Sequence, residues 1–396
     1  MAKRLAIPSE HTKLRIVGAY NYADASRVQR VSVNTDVPTT DVFELGNNLV
    51  AGQSLDTPNV TLTFSAFDVS VKLFAVLTGT DPDAYPGAGV DISNLGEVDG
   101  VIYIKDADVN DYVKTIHARR LQVRDFSFSY SVEGESTEDY TLIGSEKRFF
   151  KNDVVVDRFT VGTTSFTLTQ TPIQLKNSNY GLSVILDGEY LLEVTGAPAT
   201  GEYRIVGTTL TTGDARTAQA IVVYHANPAG TNWSSISDTV PPAAIRGRDV
   251  DIFISANSIA RVQSISFNGN LNVQPVKELG TRPVVGYQAQ VPTVEGTITV
   301  LDTDTELIDL LTTGSTDSGD TEFLIGDGCP VSGLSVKVEL VDPCDGTVPY
   351  TVLKTLYMPS IVVVGDSWSS NVNQNATQTF PFRSKTGGFL VYSGSM

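Results

Sequence analysis

Residues 27–33 read RVQRVSV, and residues 261–267 read RVQSISF, an offset of 234. The same offset holds without a gap through the next fifty or so positions. Glu44-Leu45-Gly46 answers Glu278-Leu279-Gly280, Pro58 answers Pro292, Val60 answers Val294, Asp68 answers Asp302, and Leu77-Thr78 answers Leu311-Thr312. About a third of positions 27–78 are identical to their partners. A second block continues the match at offset 240: Lys114-Thr115-Ile116 with Lys354-Thr355-Leu356, Phe128 with Trp368, Val132 with Val372, and Tyr140 with Phe380. Coincidence among β-rich segments would not hold register over such a span, so the chain carries one unit twice.

The unit is built of strands. In Asn59-Val-Thr-Leu-Thr-Phe-Ser-Ala66 the apolar residues Val60, Leu62, Phe64 and Ala66 alternate with Thr61, Thr63 and Ser65, the period of a half-buried strand. Leu334, Val336, Val338 and Leu340 repeat the pattern around Ser335, Lys337 and Glu339. Turn-forming stretches such as DPDAYPGAG (81–89), TGAPATGE (195–202) and DPCDG (342–346) separate the runs. Two segments break the alternation, 68–79 and 302–314. Each opens on an aspartate suited to an N-cap, Asp68 or Asp302, carries leucines at helical spacing and ends on glycine, which predicts one short helix per copy.

Composition bounds the rest. The chain has 396 residues, 28 Lys+Arg against 45 Asp+Glu, and a net charge of −17. Such a surface argues against a protein that grips nucleic acid, since phosphate binding depends on Lys and Arg. No apolar run approaches the roughly 18 residues of a membrane helix, and the opening MAKRLAIPSEHTKLR lacks a signal-peptide core, so neither a membrane protein nor an exported one is expected.

Boundaries follow from the repeat. Copy one takes residues 1–150 and copy two residues 246–396, with Arg248–Ser255 answering Lys13–Gly18 as first strands. Residues 151–245 have no counterpart. Their strand-like runs at 165–169, 190–194, 202–206 and 220–224, followed by the linker Asp238-Thr-Val-Pro-Pro-Ala-Ala244, predict an inserted β-sandwich of Ig-like size. The expected fold is all-β: two tandem sandwich or barrel units with one short helix each, and the insert.

The order of elements in each copy resembles the tail tube fold of long-tailed bacteriophages, shared with the inner tubes of contractile injection systems. The likeness is carried by Arg27–Val33 through Glu44-Leu-Gly46, by Arg261–Phe267 through Glu278-Leu-Gly280, and by Gly144-Ser-Glu-Lys147 after the strand that begins at Arg124. It covers about three quarters of the chain and leaves the insert outside. The resemblance implies hexameric rings stacked around a DNA channel; with two units per chain, three chains would close a pseudo-sixfold ring, the insert decorating the outside. It implies a structural protein of the virion, assembled in the host bacterial cytoplasm. Its partners would be further copies of itself and the tape measure, terminator and baseplate proteins, with DNA passing through unbound and no cofactor or membrane involved. Another ring-forming tail component, a terminator or baseplate hub, would fit the same likeness, and more distantly a β-rich adhesin or carbohydrate-binding protein.

On that reading the channel face is the polar side of the alternating strands: Ser32, Asn34, Asp36, Thr61, Thr63 and Ser65 in copy one, and Ser266, Asn268, Asn270, Glu295, Thr297 and Thr299 in copy two. Hydroxyls and acids without Lys or Arg would give DNA a smooth, mildly repulsive wall. The stretches 44–58 and 278–292, opening on Glu44, Leu45, Gly46 and Glu278, Leu279, Gly280, are long for hairpin connections and are assigned to contacts between stacked rings. The loops depart from each other just after this motif, Asn47-Asn-Leu-Val50 against Thr281-Arg-Pro-Val284.

Three motifs suggest chemistry and fail on context. Asp302-Thr-Asp304-Thr305 has the paired aspartates of aspartate-nucleophile phosphatases, but copy one keeps only Asp68, and a helix cap accounts for both. Val364-Gly-Asp-Ser367 is similar to the nucleophile block of GDS-type esterases, but those enzymes carry a downstream histidine, and of His11, His117 and His225 none follows it. Asn232-Trp-Ser234 and Asn375-Ala-Thr377 are glycosylation sequons by pattern only. Cys329 and Cys344 flank one extended strand that spans roughly 26 Å, far beyond the about 7 Å a disulfide allows, so free thiols are expected, with a bond between subunits as the lesser alternative. No enzymatic activity is assigned.

Overall fold

The computed structural model describes residues 12–25, 27–43, 45, 50–67, 71–79, 89–92, 96–105, 112–134, 136–151, 153–160, 163–175, 180–213, 219–226, 245–278, 284–301, 305–325, 333–342 and 350–396. The protein is all-β, with two short α-helices among these residues, Val71–Leu77 (α1) and Glu306–Thr313 (α2). Among the described residues no helix is long and apolar enough to cross a membrane.

One antiparallel sheet organises both copies. Its strands are β1 (Val28–Asp36), β2 (Asn59–Ala66), β3 (Tyr112–Ser131), β4 (Thr137–Gly144), β5 (Val262–Asn270), β6 (Thr293–Leu301), β7 (Ile361–Val363), β8 (Ser367–Ser369) and β9 (Thr377–Ser384). They lie side by side as β1-β2-β4-β3-β5-β6-β9, with β7 and β8 end to end along the far side of β9. Alternation decides which face is inward: in β2 Val60, Leu62, Phe64 and Ala66 are buried while Thr61, Thr63 and Ser65 stay half-exposed.

The repeat is exact in hydrogen-bond register. Val28 pairs Ala66 and Asp36 pairs Asn59, with a bulge after Val28; at offset 234, Val262 pairs Val300 and Asn270 pairs Thr293, with the same bulge after Val262. Just before each bulge stands an arginine with positive φ, Arg27 at 52° and Arg261 at 61°. At offset 240, the pairs Val123–Leu142, Ser127–Asp139 and Ser129–Thr137 become Val363–Phe382, Ser367–Thr379 and Ser369–Thr377. A one-residue slip in either copy would turn its apolar face to water, so burial enforces the register.

Each copy is a two-layer sandwich. The twenty-residue β3 belongs to both layers: its second half pairs β4 and β5, its first half pairs Glu97–Lys105 and Glu146–Phe150 in the outer sheet, which Thr12–Val17 extends. In copy two the outer sheet is Val250–Ile254, Val336–Val341, Val352–Met358 and Leu390–Ser393, capped by Val90–Asp91 of copy one. A single apolar core runs between the layers through both copies. No sheet of the described strands closes on itself, so within one chain the unit is a sandwich and not a barrel.

The copies meet where β3 pairs β5. Phe128 and Phe267 stand directly opposite, both fully buried, and Phe389 packs on them at 5.7 and 5.3 Å. Burying two such rings contributes about 3–6 kcal/mol. Beside them Lys354 of copy two forms an ion pair with Glu138 of copy one, both buried, and Tyr140 Oη donates to Glu138 Oε2 at 2.8 Å.

Two sheets of four strands, one holding Asp153–Thr160 and Gln219–Ala226, the other Glu202–Val206 and Thr209–Thr212, pack around a core of their own that includes Leu182, Val184, Tyr203, Leu210 and Val222. This sandwich rests on the outer face of copy one's outer sheet, through Val17, Val101, Tyr103, Ile221 and Val223. Polar contacts fix the seat. Tyr103 Oη donates to the Val154 carbonyl at 2.8 Å, Arg119 donates to Ser183 Oγ and the Leu182 carbonyl at 2.8 Å each, and Tyr190 Oη donates to Asp99 Oδ1 at 2.9 Å. Burial alone would raise the Asp99 carboxyl, but the hydrogen bond with His117 Nε2 at 2.8 Å and the charge of Arg119 hold it at about 2.

Two sequence expectations change. The second helix is shorter than 302–314, beginning after Thr305, which holds the N-cap position of α2 without a side-chain cap bond; Asp68 and Asp302 lie outside the described residues. Gly314 does close α2, in the left-handed region at φ 84°. The thiols Cys329 and Cys344, the linker 238–244, Asp304 and the sequon at 232–234 also lie outside the described residues.

Two outcomes are expected. Lys354→Met should cost about 3–5 kcal/mol by stranding the Glu138 carboxylate, while Lys354→Met with Glu138→Met should recover most of it, read by urea denaturation. His225 stacks on Phe150 at 4.2 Å, both its ring nitrogens lack a hydrogen-bond partner among the described residues, and burial lowers its pKa to about 4. The unfolded chain takes up a proton near the ordinary histidine value that the folded chain refuses, so stability should fall between pH 6.5 and 4. His225→Phe should flatten that part of the urea-midpoint profile.

Candidate functional site

The polar face of the through-sheet gathers all twelve residues singled out from the alternation. Ser32 stands opposite Thr63 and Asn34 opposite Thr61, with Ser65 and Asp36 further along the same two strands. Across the seam between the copies, Ser266 stands opposite Ser129 and Asn268 opposite Ser127, then Thr297 opposite Ser266 and Glu295 opposite Asn268, with Asn270 and Thr299 on the flanks. Ser127, Ser129, Asp139 and Thr141 on β3 and β4 complete the surface between the two sets. The sequence pattern of residues 59–66 and 262–301 found the flanks; these four were not singled out, although Phe126-Ser-Phe-Ser129 alternates as plainly.

The electrostatics differ from the expected wall in one respect. Asp36, Asp125, Asp139 and Glu295 supply negative charge, but Arg30 and Arg383 share the face, Arg30 opposite Ser65 and Arg383 opposite Glu295. Arg124 also holds Asp125 at 2.7 Å. The surface is polar, with acids spread along it and an arginine toward each end, and is not free of basic groups. An open groove follows the β3–β5 seam, lined by Asp125, Ser127, Asp139, Asn268 and Glu295. Among the described residues no cluster of His, Cys, Asp or Glu could hold a metal ion.

Each expected stacking loop, 44–58 and 278–292, contains a strand, Val50–Leu55 in the first and Gly286–Gln288 in the second. Thr39–Phe43 pairs Val50–Leu55, and Gln274–Val276 pairs Gly286–Gln288, so each copy projects a hairpin. The reason is local: each returning segment finds a neighbouring strand whose backbone groups would otherwise go unpaired. The hairpins are joined by Lys277 Nζ and Asp56 at 3.2 Å, and that contact, after the Thr57 backbone N–H, lowers the Asp56 carboxyl. The copy-one hairpin exposes Val42, Phe43, Leu45 and Leu55. Glu278 is exposed; Glu44, Gly46, Leu279 and Gly280 lie outside the described residues.

The two ends of the through-sheet were not read from the sequence. Beyond β1 and beyond β8 the described residues place no further strand. Comparison of equivalent positions shows what that leaves. Phe128 is 0% exposed at the internal seam and its counterpart Trp368 on β8 is 59% exposed. Ile265 and Phe267 on β5 are buried, while their counterparts Val31 and Val33 on β1 are half-exposed. Leu73 and Phe74 of α1 are buried, while Leu307 and Ile308 of α2 are half-buried. Each edge of the sheet thus displays the apolar residues that the internal seam covers.

The signal was present in the repeat itself: one copy's last strand already holds the other copy's first strand, so the remaining first and last strands form a matching pair. Replacing Trp368 by Ser should leave the stability of the isolated chain within about 0.5 kcal/mol, as for other exposed sites, whereas Phe128→Ser should cost about 3–5 kcal/mol. Thermal unfolding of dilute protein reads both.

No protein-family model matches the chain, and no curated protein does. Among solved structures, Hcp1 from Flavobacterium johnsoniae is similar over 36% of this chain and 98% of its own, at 15% identity and a TM-score of 0.21, a likeness too slight to decide the fold.

Proposed function

We propose that this protein is a tube-forming structural protein, the tail tube of a long-tailed bacteriophage, in which three chains close a ring of six units and stacked rings enclose a channel for DNA. The observation that carries the reading is the pair of complementary sheet edges, β1 with Val31 and Val33 at one end and β8 with Trp368 at the other. A sheet that pairs its own copies head to tail, and ends in the same two edges, repeats by addition of further chains. Closure into a ring is the arrangement that leaves no edge open.

The remaining features support the same arrangement. The polar face would line the channel: hydroxyls, amides and carboxylates there offer duplex DNA few phosphate contacts, and the arginines are too few to hold it. The inserted sandwich sits on the opposite layer, where it would face outward without touching the channel. The apolar hairpin tips around Phe43 and Leu45 would serve contacts between stacked rings. Tape measure, terminator and baseplate proteins are the partners this role calls for.

Negative-stain microscopy of concentrated protein should show rings with a central hole or stacked tubes. A strictly monomeric species by light scattering at the same concentration would overturn the proposal. Trp368→Ser should weaken association by about thirtyfold per joint, from roughly 80 Å² of apolar area left unburied. Thr63→Lys with Thr297→Lys should leave assembly intact and slow DNA release from virions that carry the variant; an unchanged ejection rate would count against a channel position for this face.

A further inference from the structure

The seam inside the chain is a template for the joint between chains, and the repeat offsets give its residues. Inside, Phe267 pairs Phe128, Ser266 pairs Ser129 and Ser264 pairs Ser131. Subtracting 234 from the β5 partner and adding 240 to the β3 partner sets Val33 against Trp368, Ser32 against Ser369 and Arg30 against Asn371.

Among the described residues, the polar ties that cross the internal seam besides the sheet hydrogen bonds include a Tyr287–Ser145 hydrogen bond and the following four. Lys354 is ion-paired with Glu138; Lys277 Nζ lies 3.2 Å from both Asp56 oxygens; Asn270 Nδ2 donates to Asp125 Oδ1 at 2.8 Å; Arg120 Nη2 donates to the Val285 carbonyl at 3.1 Å. Transposed to the outer edges, none of the four survives intact. Lys114 replaces Lys354, but Gln378 replaces Glu138. Phe43 and Gln290 replace Lys277 and Asp56, Asp36 and Gly365 replace Asn270 and Asp125, and Ser360 replaces Arg120. Lys114 extends from β3 on the same face as the buried Ile116, and its Nζ lies 5.8 Å from the Phe149 ring. Gln378 is buried and its amide donates weakly to Asp366 at 3.5 Å.

Resting on the ring reading above, we infer that a second copy of this chain docks its β1 on β8 in the register Val33–Trp368, and that this joint repeats the internal seam without its ion pairs, Lys114 meeting Gln378 in place of a carboxylate. The ring then has joints of two kinds. Three lie within chains and are covalently linked, apolar and charge-paired. Three lie between chains and rest on apolar contact and strand pairing, with the Lys114 ammonium taken out of water against a neutral amide. A cation desolvated against an amide, with the exposed Asp366 carboxylate only beyond that amide, is stabilised less than one paired directly with a buried carboxylate, so the joints between chains are the weaker set. Having lost the two ion pairs transposed from the internal seam, they respond less to salt than charge-paired joints would. The whole chain, not the single unit, is what adds to and leaves the assembly.

Two measurements test this. In a Cys329→Ser/Cys344→Ser background, Ser32→Cys with Ser369→Cys should oxidise in assembled protein to covalent dimers and trimers. Asp36→Cys with Ser369→Cys, four residues out of register, should not. Gln378→Glu should lower the concentration at which assembly is half complete by about tenfold, by giving Lys114 a buried partner. Added salt should reduce that gain, and Lys114→Met should abolish it. If the parent protein assembles but the out-of-register pair links instead, or Gln378→Glu leaves the midpoint unchanged, the inference is wrong and the ring reading stands. If the parent protein does not assemble at any concentration, both are wrong.

Discussion

The pairing of β3 with β5 is the contact on which the rest of the molecule depends. It converts two four-stranded sheets into one, and it buries Phe128, Phe267 and Phe389 in a single core that neither copy could complete alone. A sheet edge carries a row of backbone donors and acceptors that must be satisfied somewhere. At this seam they are satisfied within the chain, and the side chains follow: apolar on the inner face, Ser and Asn on the outer. The same requirement holds at β1 and β8, beyond which the described residues place no further strand.

Layering separates the roles. The through-sheet offers one face to the core and one to solvent. The outer sheet of copy one is buried on both faces, by the core on one side and the inserted sandwich on the other. The consequence appears in side-chain chemistry: Glu97–Lys105 is buried along nearly its whole length, while Val336–Val341 in copy two alternates and places Lys337 and Glu339 on its outer face. Duplicated units have thus diverged where their surroundings differ. The contrast between Glu138 and Gln378 is of the same kind, since the carboxylate sits beside Lys354 of the same chain and the amide sits at the last edge of the through-sheet.

The buried groups at the seat of the insert show how rigidly it is held. Asp99 receives His117, Tyr190 and the Arg120 backbone N–H, and Arg119 spans from Glu146 to Ser183 and Leu182. A network of this size, drawn from both bodies, favours one orientation because any other would leave a buried carboxylate or guanidinium without its partners. The insert is therefore a fixed part of the outer layer and not a tethered module.

Sequence alone determined the strand character, the face of each alternating strand and the existence of two copies, because these depend on local period and on identity at a constant offset. Val60, Leu62, Phe64 and Ala66 lie inward for the reason their spacing gives. The apolar run Val101-Ile-Tyr-Ile104 also differed visibly from the alternating Val336–Leu340, a legible sign that copy one's outer sheet is covered twice. Tertiary structure alone decided which strands become neighbours. Nothing in a local pattern says that β3 crosses between layers, that β5 docks on its second half, or that Arg30 and Arg383 share a face with Glu295, because pairing partners are chosen by burial summed over segments more than a hundred residues apart. The hairpins at Thr39–Leu55 and Gln274–Gln288 escaped for the opposite reason: their first strands, Thr39–Phe43 and Gln274–Val276, are exposed along their whole length and carry no alternation to betray a strand.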